Sequence, residues 1–135
     1  MRRKAKPYPP VLLELMASKT AVVMKARAFA DLGMTDTAQP IYVAAASQEE
    51  RIAPLLDALG RGLEAAASRI SAASCYEKGG NLSRAANLYQ AALAAPLRAS
   101  TRRDVEAMLA RCLEELSRTA LNGSSRRERQ APAGT

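Results

Sequence analysis

Residues 69–96, RISAASCYEKGGNLSRAANLYQAALAAP, read as two antiparallel helices joined at Gly79-Gly80. Ile70, Ala73 and Tyr76 recur at spacings of three on one face of the first helix. Ala85, Leu88, Ala92 and Leu93 form an apolar stripe on the second, the pattern of amphipathic helices. Gly79 or Gly80 can take the left-handed backbone conformation that ends a helix, and Asn81 or Ser83 can accept from the orphan N–H groups that open the next. So short a turn makes the helices antiparallel neighbours. Small side chains at Ala72, Ala73, Ala85 and Ala92 let the two backbones approach closely, with Tyr76 and Tyr89 supplying bulk beside them.

The same pattern stands earlier, in VVMKARAFADLGMTDTAQPIYVAAAS, residues 22–47. Ala26, Phe29, Gly33, Ala38, Tyr42 and Ala45 reproduce the offsets of Ala73, Tyr76, Gly80, Ala85, Tyr89 and Ala92, displaced by 47 residues. These positions resemble the tetratricopeptide repeat, whose helix-turn-helix unit carries small and aromatic residues at fixed offsets. In that resemblance Ala73 and Tyr76 stand for the small and aromatic residues of the first helix and Gly80 for the turn glycine. Ala85, Tyr89 and Ala92 match the second helix, and Pro96 falls one residue ahead of the closing proline. Arg69 and Ala72 occupy positions where the family has Trp and Leu, Lys25 replaces an apolar residue, and Pro40 enters the second helix near its start. The separation exceeds the family's 34 residues, which makes these degenerate repeats, with the surplus at 54–66 lengthening a helix.

Taken in order, residues 1–8 are basic and proline-containing and are expected to be disordered, and Pro9-Pro10 suits a helix start. A first helix is predicted from Val11 to Leu32, with Gly33 ending it. Thr35 or Asp36 then caps a second helix running toward Ile52, with Pro40 tolerated in its first turn. Pro54 disfavours helical geometry at Ala53 and predicts the start of a third helix that reaches Lys78. Leu56, Leu59, Leu63, Ala66, Ile70 and Ala73 form a heptad-like seam along that third helix, weakened or bent by Gly60 and Gly62. A fourth helix runs from Asn81 or Leu82 to Ala95 and stops at Pro96. Ser100 or Thr101 caps a fifth, with Val105, Met108, Leu109, Cys112, Leu113 and Leu116 on its apolar side. Asn122-Gly123 ends it, and 123–135 read as a disordered polar tail.

About a fifth of the 135 residues are alanine, the best helix former, and Val and Ile are few. The composition therefore points to an all-α chain, large enough for one core without disulfides or metals. Its formal net charge is +7. Arg2, Arg3, Lys4 and Lys6 at one end, and Arg126, Arg127 and Arg129 at the other, supply nearly all of it. These tail residues are candidate polyanion contacts, and the body is close to neutral. Cys75 and Cys112 lack any CxxC spacing and read as small buried thiols in a reducing compartment. No run reaches membrane-spanning length and no secretory apolar core follows the first residues, so a cytoplasmic location without membrane contact is expected.

Histidine is absent, which removes the commonest general base, the usual catalytic triads and most zinc sites. Glu49-Glu50 and Glu114-Glu115 are neighbours that point about 100° apart on a helix, so neither pair shares a site. No glycine pattern cradles phosphate. No catalytic residue, metal or cofactor is assigned, and a non-enzymatic role is expected.

The resemblance implies a right-handed stack of five antiparallel helices: two hairpins followed by a C-terminal capping helix. It also implies that the first helices of the hairpins line a concave groove for a partner peptide. Carried over by position, that groove takes Val23, Arg27, Ala30 and Asp31 from the first hairpin and Ile70, Ser74, Glu77 and Lys78 from the second. Val23 and Ile70 read equally as core, and the four charged residues as solvated helix faces. Two hairpins are fewer than a solenoid usually needs, which favours a protein partner or a homodimer. The leucine seam of the third helix and the exposed side of the first hairpin are the suspected contact surfaces. The expected function is a small adaptor or assembly subunit. Alternatives are a nucleic-acid accessory protein acting through its basic tails and a purely self-associating protein.

Overall fold

The computed structural model describes residues 7–130, with side chains as far as Asn122. Every regular element of the described chain is an α-helix: α1 (Pro10–Asp31), α2 (Thr35–Ala58), α3 (Gly62–Lys78), α4 (Leu82–Ala92) and α5 (Ala99–Gln130). Each helix packs on the next in chain order, as the short connections require.

Three of the four connections are built the same way. Gly33, Gly60 and Gly80 carry φ of 76°, 73° and 86°, a conformation that costs residues with a Cβ about 1 kcal/mol or more. In each, the following N–H reaches back five residues along the helix end: Met34 to the Phe29 carbonyl, Arg61 to Leu56 and Asn81 to Tyr76, at 2.8–2.9 Å. The glycine N–H bonds in turn to Ala30, Asp57 or Glu77. The orphan carbonyls of α1, α2 and α3 are thereby satisfied without side chains. Gly79 serves a different purpose. A Cβ there would lie 2.6 Å from Val43 Cγ2 and 3.1 Å from the Gln39 carbonyl, so its missing side chain is what lets α2 cross this turn closely.

The boundary between the second and third helices therefore lies at Gly60 and not at Pro54. α2 runs through both Pro40 and Pro54, and Pro40 stands beyond the first turn. An interior proline costs about 3 kcal/mol. Around Pro54, Ile52, Ala53 and Leu56 are almost wholly buried, and burying an Ile or Leu returns about 1.5–3 kcal/mol each. The predicted leucine seam is consequently split. Leu56 is a core residue of α2, Leu59 ends that helix, and Leu63 is exposed on α3. Gly60 is a terminator and Gly62 the first residue of α3, so neither bends a continuous helix. Neither Thr35 nor Asp36 caps α2; its N-cap is Met34, with no side-chain hydrogen bond.

Asn81 does cap α4, its Oδ1 accepting from the Arg84 N–H at 3.2 Å. α4 ends at Ala92, before the predicted Ala95. Pro96 has no N–H to offer the Ala92 carbonyl, and the chain tightens so that Ala94 and Ala95 bond to Ala91 and Ala92. The Arg102 guanidinium then donates to the Leu93 and Ala95 carbonyls at 3.0 and 2.8 Å. α5 does not end at Asn122-Gly123, as the sequence predicts, but continues to Gln130. At the other terminus Tyr8, assigned from sequence to the tail, donates to Glu64 Oε1 at 2.6 Å and lies under the Arg61 guanidinium.

The repeated small and aromatic positions are the interior. Ala26, Ala38, Tyr42, Ala45, Ala73, Tyr76, Ala85 and Tyr89 fall in one buried cluster with Val105 and Cys112 of α5. A second cluster of Leu12, Ile52, Ala53, Leu56 and Ala65 closes the opposite end of α1 and α2. With alanine at most crossing points, helix axes can approach at the short end of the usual range, and the tyrosines fill the space between.

Candidate interaction surfaces

The groove residues inferred by resemblance come from α1 and α3 and differ in what they are free to do. Arg27, Ala30, Asp31 and Lys78 are exposed, while Val23, Ile70, Ser74 and Glu77 are half-buried. Val23 and Ile70 pack on the main core. Arg27 and Lys78 both lie within electrostatic reach of the Cys75 thiol, whose ionisation is pushed up mainly by burial. The Lys78 ammonium sits 5.5 Å from the Tyr42 ring centroid.

Glu77 is already engaged inside the protein. Its carboxylate accepts from Arg111 Nη2 at 2.9 and 3.1 Å, and the Cys112 thiol donates to Oε1 at 3.1 Å. Burial, with the carboxylate beside it, pushes the Cys112 thiol up to about 12, far from a reactive thiolate. A matching arrangement joins α2 to α4. Arg84 donates to Glu50 from Nε at 2.8 Å and Nη2 at 3.2 Å, over the face of Tyr76. The hydrogen bonds from Arg84 hold Glu50 below the usual carboxylate range, and burial beside Glu50 raises the Tyr76 phenol to about 12. Each pair spans 34 residues and links helices two apart. A Glu followed by an Arg at that separation is the only sequence signal for either, and it is too common to reveal them.

A further buried charge secures α1. Glu49 is 3 % exposed, and its carboxylate lies 2.7 Å from Lys19 Nζ. Beside it Gln48 donates to Ser18 Oγ. The side of α1 turned away from this contact carries no such anchor. Leu13, Ala17, Ala21, Met24, Ala28 and Leu32 follow one another at steps of three or four and are all exposed. Leu13 is 52 %, Met24 64 % and Leu32 73 % accessible. At 100° per residue this row lies opposite the arc of Leu12, Lys19, Val22 and Ala26 that faces the core. α1 is therefore apolar on two opposed sides.

No known protein family, curated protein or solved structure matches this chain. Its function must therefore be argued from these surfaces. Among the described residues no group of His, Cys, Asp and Glu could hold a metal ion, and no helix is long and apolar enough to cross a membrane. Arg2, Arg3, Lys4 and Lys6 lie outside the described residues, as do the side chains of Arg126, Arg127 and Arg129.

Proposed function

We propose that this protein is a non-catalytic protein–protein interaction module, a small adaptor or assembly subunit built as a tetratricopeptide-like stack of two degenerate hairpins. The exposed apolar row on α1 carries the reading. A continuous hydrophobic strip rimmed by polar residues marks a contact surface when it lies on the outside of an otherwise well-packed chain. The ion pairs between helices two apart support the stacked arrangement, because they bring α4 back to α2 and α5 back to α3. The absence of histidine from the sequence and the internal use of both thiols and Glu77 favour a binding role over catalysis. Groove residues Arg27, Ala30, Asp31 and Lys78 remain available as a second contact zone.

The test uses the full chain and its Met24→Glu variant. Met24 makes no core contact, so the substitution should change folding stability by no more than about 0.5 kcal/mol. The full chain should run in light scattering, alone or with a stoichiometric partner from its host, above its 14.4 kDa monomer mass. Met24→Glu should return it to monomer with unchanged helicity. If the full chain is monomeric and retains no stoichiometric partner, the reading fails.

A further inference from the structure

We infer that the occupant of the outer α1 face is the same face of a second copy of this chain, packed antiparallel about a two-fold axis. The inference rests on the interaction-module reading and goes further by naming the partner and its register. α1 has 22 residues, about 33 Å of helix, and the apolar row runs along nearly all of it. A surface so long and narrow is matched by another helix of the same kind.

Charge sets the direction. Glu14 and Lys25 stand on the same edge of the row, three turns apart, and both are exposed. Among the described residues neither makes an ion pair. An antiparallel copy brings Glu14 to the second copy's Lys25 and Lys25 to its Glu14, with the axis passing between Lys19 and Thr20. A parallel copy would carry the two charged edges to opposite sides of the interface and leave both charges without a partner. In the antiparallel register Ala17 meets the second copy's Ala21, so small side chains lie where the helices cross and close approach is possible. Leu13 then packs beside the second copy's Met24 on either side of the crossing.

Other parts of the chain fit this row poorly. Residues 1–6, MRRKAK, and 131–135, APAGT, lack the apolar side chains to cover it. The outer face of α5 sets Arg103, Glu106, Glu114 and Arg118 around its exposed Leu113 and Leu121, with Arg118 paired to its neighbours. Stacking α1 of one molecule on α5 of the next would bury those charges against hydrocarbon and would propagate without closing. Pairing α1 with α1 buries the row on both copies at once and closes at two.

Sedimentation equilibrium of the full chain, with Ala21→Glu and a charge-reversal cycle, tests this. The full chain should weigh twice 14.4 kDa, and Ala21→Glu, helical by circular dichroism, should be monomeric. Glu14→Lys and Lys25→Glu should each weaken dimerisation about ten-fold, since each turns two attractive pairs into two repulsive ones. The two together should restore it. A dimer that survives Ala21→Glu, or a double reversal no tighter than the singles, overturns the inference. A full chain that stays monomeric, yet loses a host partner on Met24→Glu, also overturns it while leaving the interaction-module reading intact.

Discussion

The first and last described helices, α1 and α5, each pack on one neighbour in chain order, and they meet solvent in opposite ways. α5 turns Val105 and Cys112 inward and presents Arg103, Glu106, Glu114 and Arg118 outward. α1 turns Leu12 and Ala26 inward and presents Leu13, Ala21, Met24 and Leu32 outward. The α5 end meets water mainly on charged groups, with Leu113 and Leu121 exposed among them; the α1 end meets it on a continuous apolar row. The attachments differ too. A buried carboxylate-ammonium pair, Glu49 and Lys19, ties α1 to α2. α5 is tied by an arginine that caps the end of α4 and by a carboxylate shared between Arg111 and a thiol. The lesson is directional: the molecule has one side on which association removes apolar surface from water and one on which it would not.

The largest stability effect is expected at the α1 attachment. Lys19→Met leaves Glu49 buried without its partner, and urea denaturation should show a loss of about 2–3 kcal/mol, reduced from the fully buried case because Lys19 is partly exposed. Adding Glu49→Leu to that variant should recover most of the loss. If Lys19→Met is neutral, the buried pair does not hold the helix. At the α5 attachment Arg102→Met uncovers the Leu93 and Ala95 carbonyls, and the loss should be about 1–2 kcal/mol. Equal losses at the two attachments would erase this part of the contrast.

The effect at the α5 end that is absent at neutral pH is its pH dependence. The Cys112 thiol ordinarily ionises near 9.0 and is raised to about 12 in the folded protein. Above pH 9 the unfolded chain therefore gives up this proton while the folded chain keeps it. Stability should be unaffected by this group below about pH 9 and should fall as pH rises toward 12. Cys112→Ala should reduce that alkaline slope, leaving the parts due to Cys75, Tyr76 and Tyr89, which burial also raises. An unchanged slope would show that the thiol is not held in its protonated form.

Much of the architecture was legible because it is local. The glycine turns at 33 and 80 and the buried Ala and Tyr positions are set by residues within a few turns of one another, and the structure places them as expected. Pro54 misled because its penalty acts only on its own turn, whereas Ile52, Ala53 and Leu56 gain their burial from α1 and α3, which no local pattern displays. Gly60 was visible as a weak point but reads as a terminator only once the helix is known to pass Pro54. The candidate site was less legible. Glu77 could be placed on α3 from its position, but its engagement depends on Arg111, 34 residues away. The exposed side of the first hairpin was singled out, yet the row itself was hidden. Ala17, Ala21 and Ala28 look like helix formers, and only burial shows that Leu12 faces inward while Leu13 faces water.

The most direct test of the difference between the two ends is hydroxyl-radical footprinting of the full chain at protein concentrations well below and well above self-association. Met24 on α1 and Leu113 on α5 are both large, exposed and apolar, so they report the two ends in one experiment. The account predicts that Met24 becomes protected as concentration rises while Leu113 reacts at a constant rate. Constant labelling of Met24 across that range, or protection at Leu113 in its place, would contradict it.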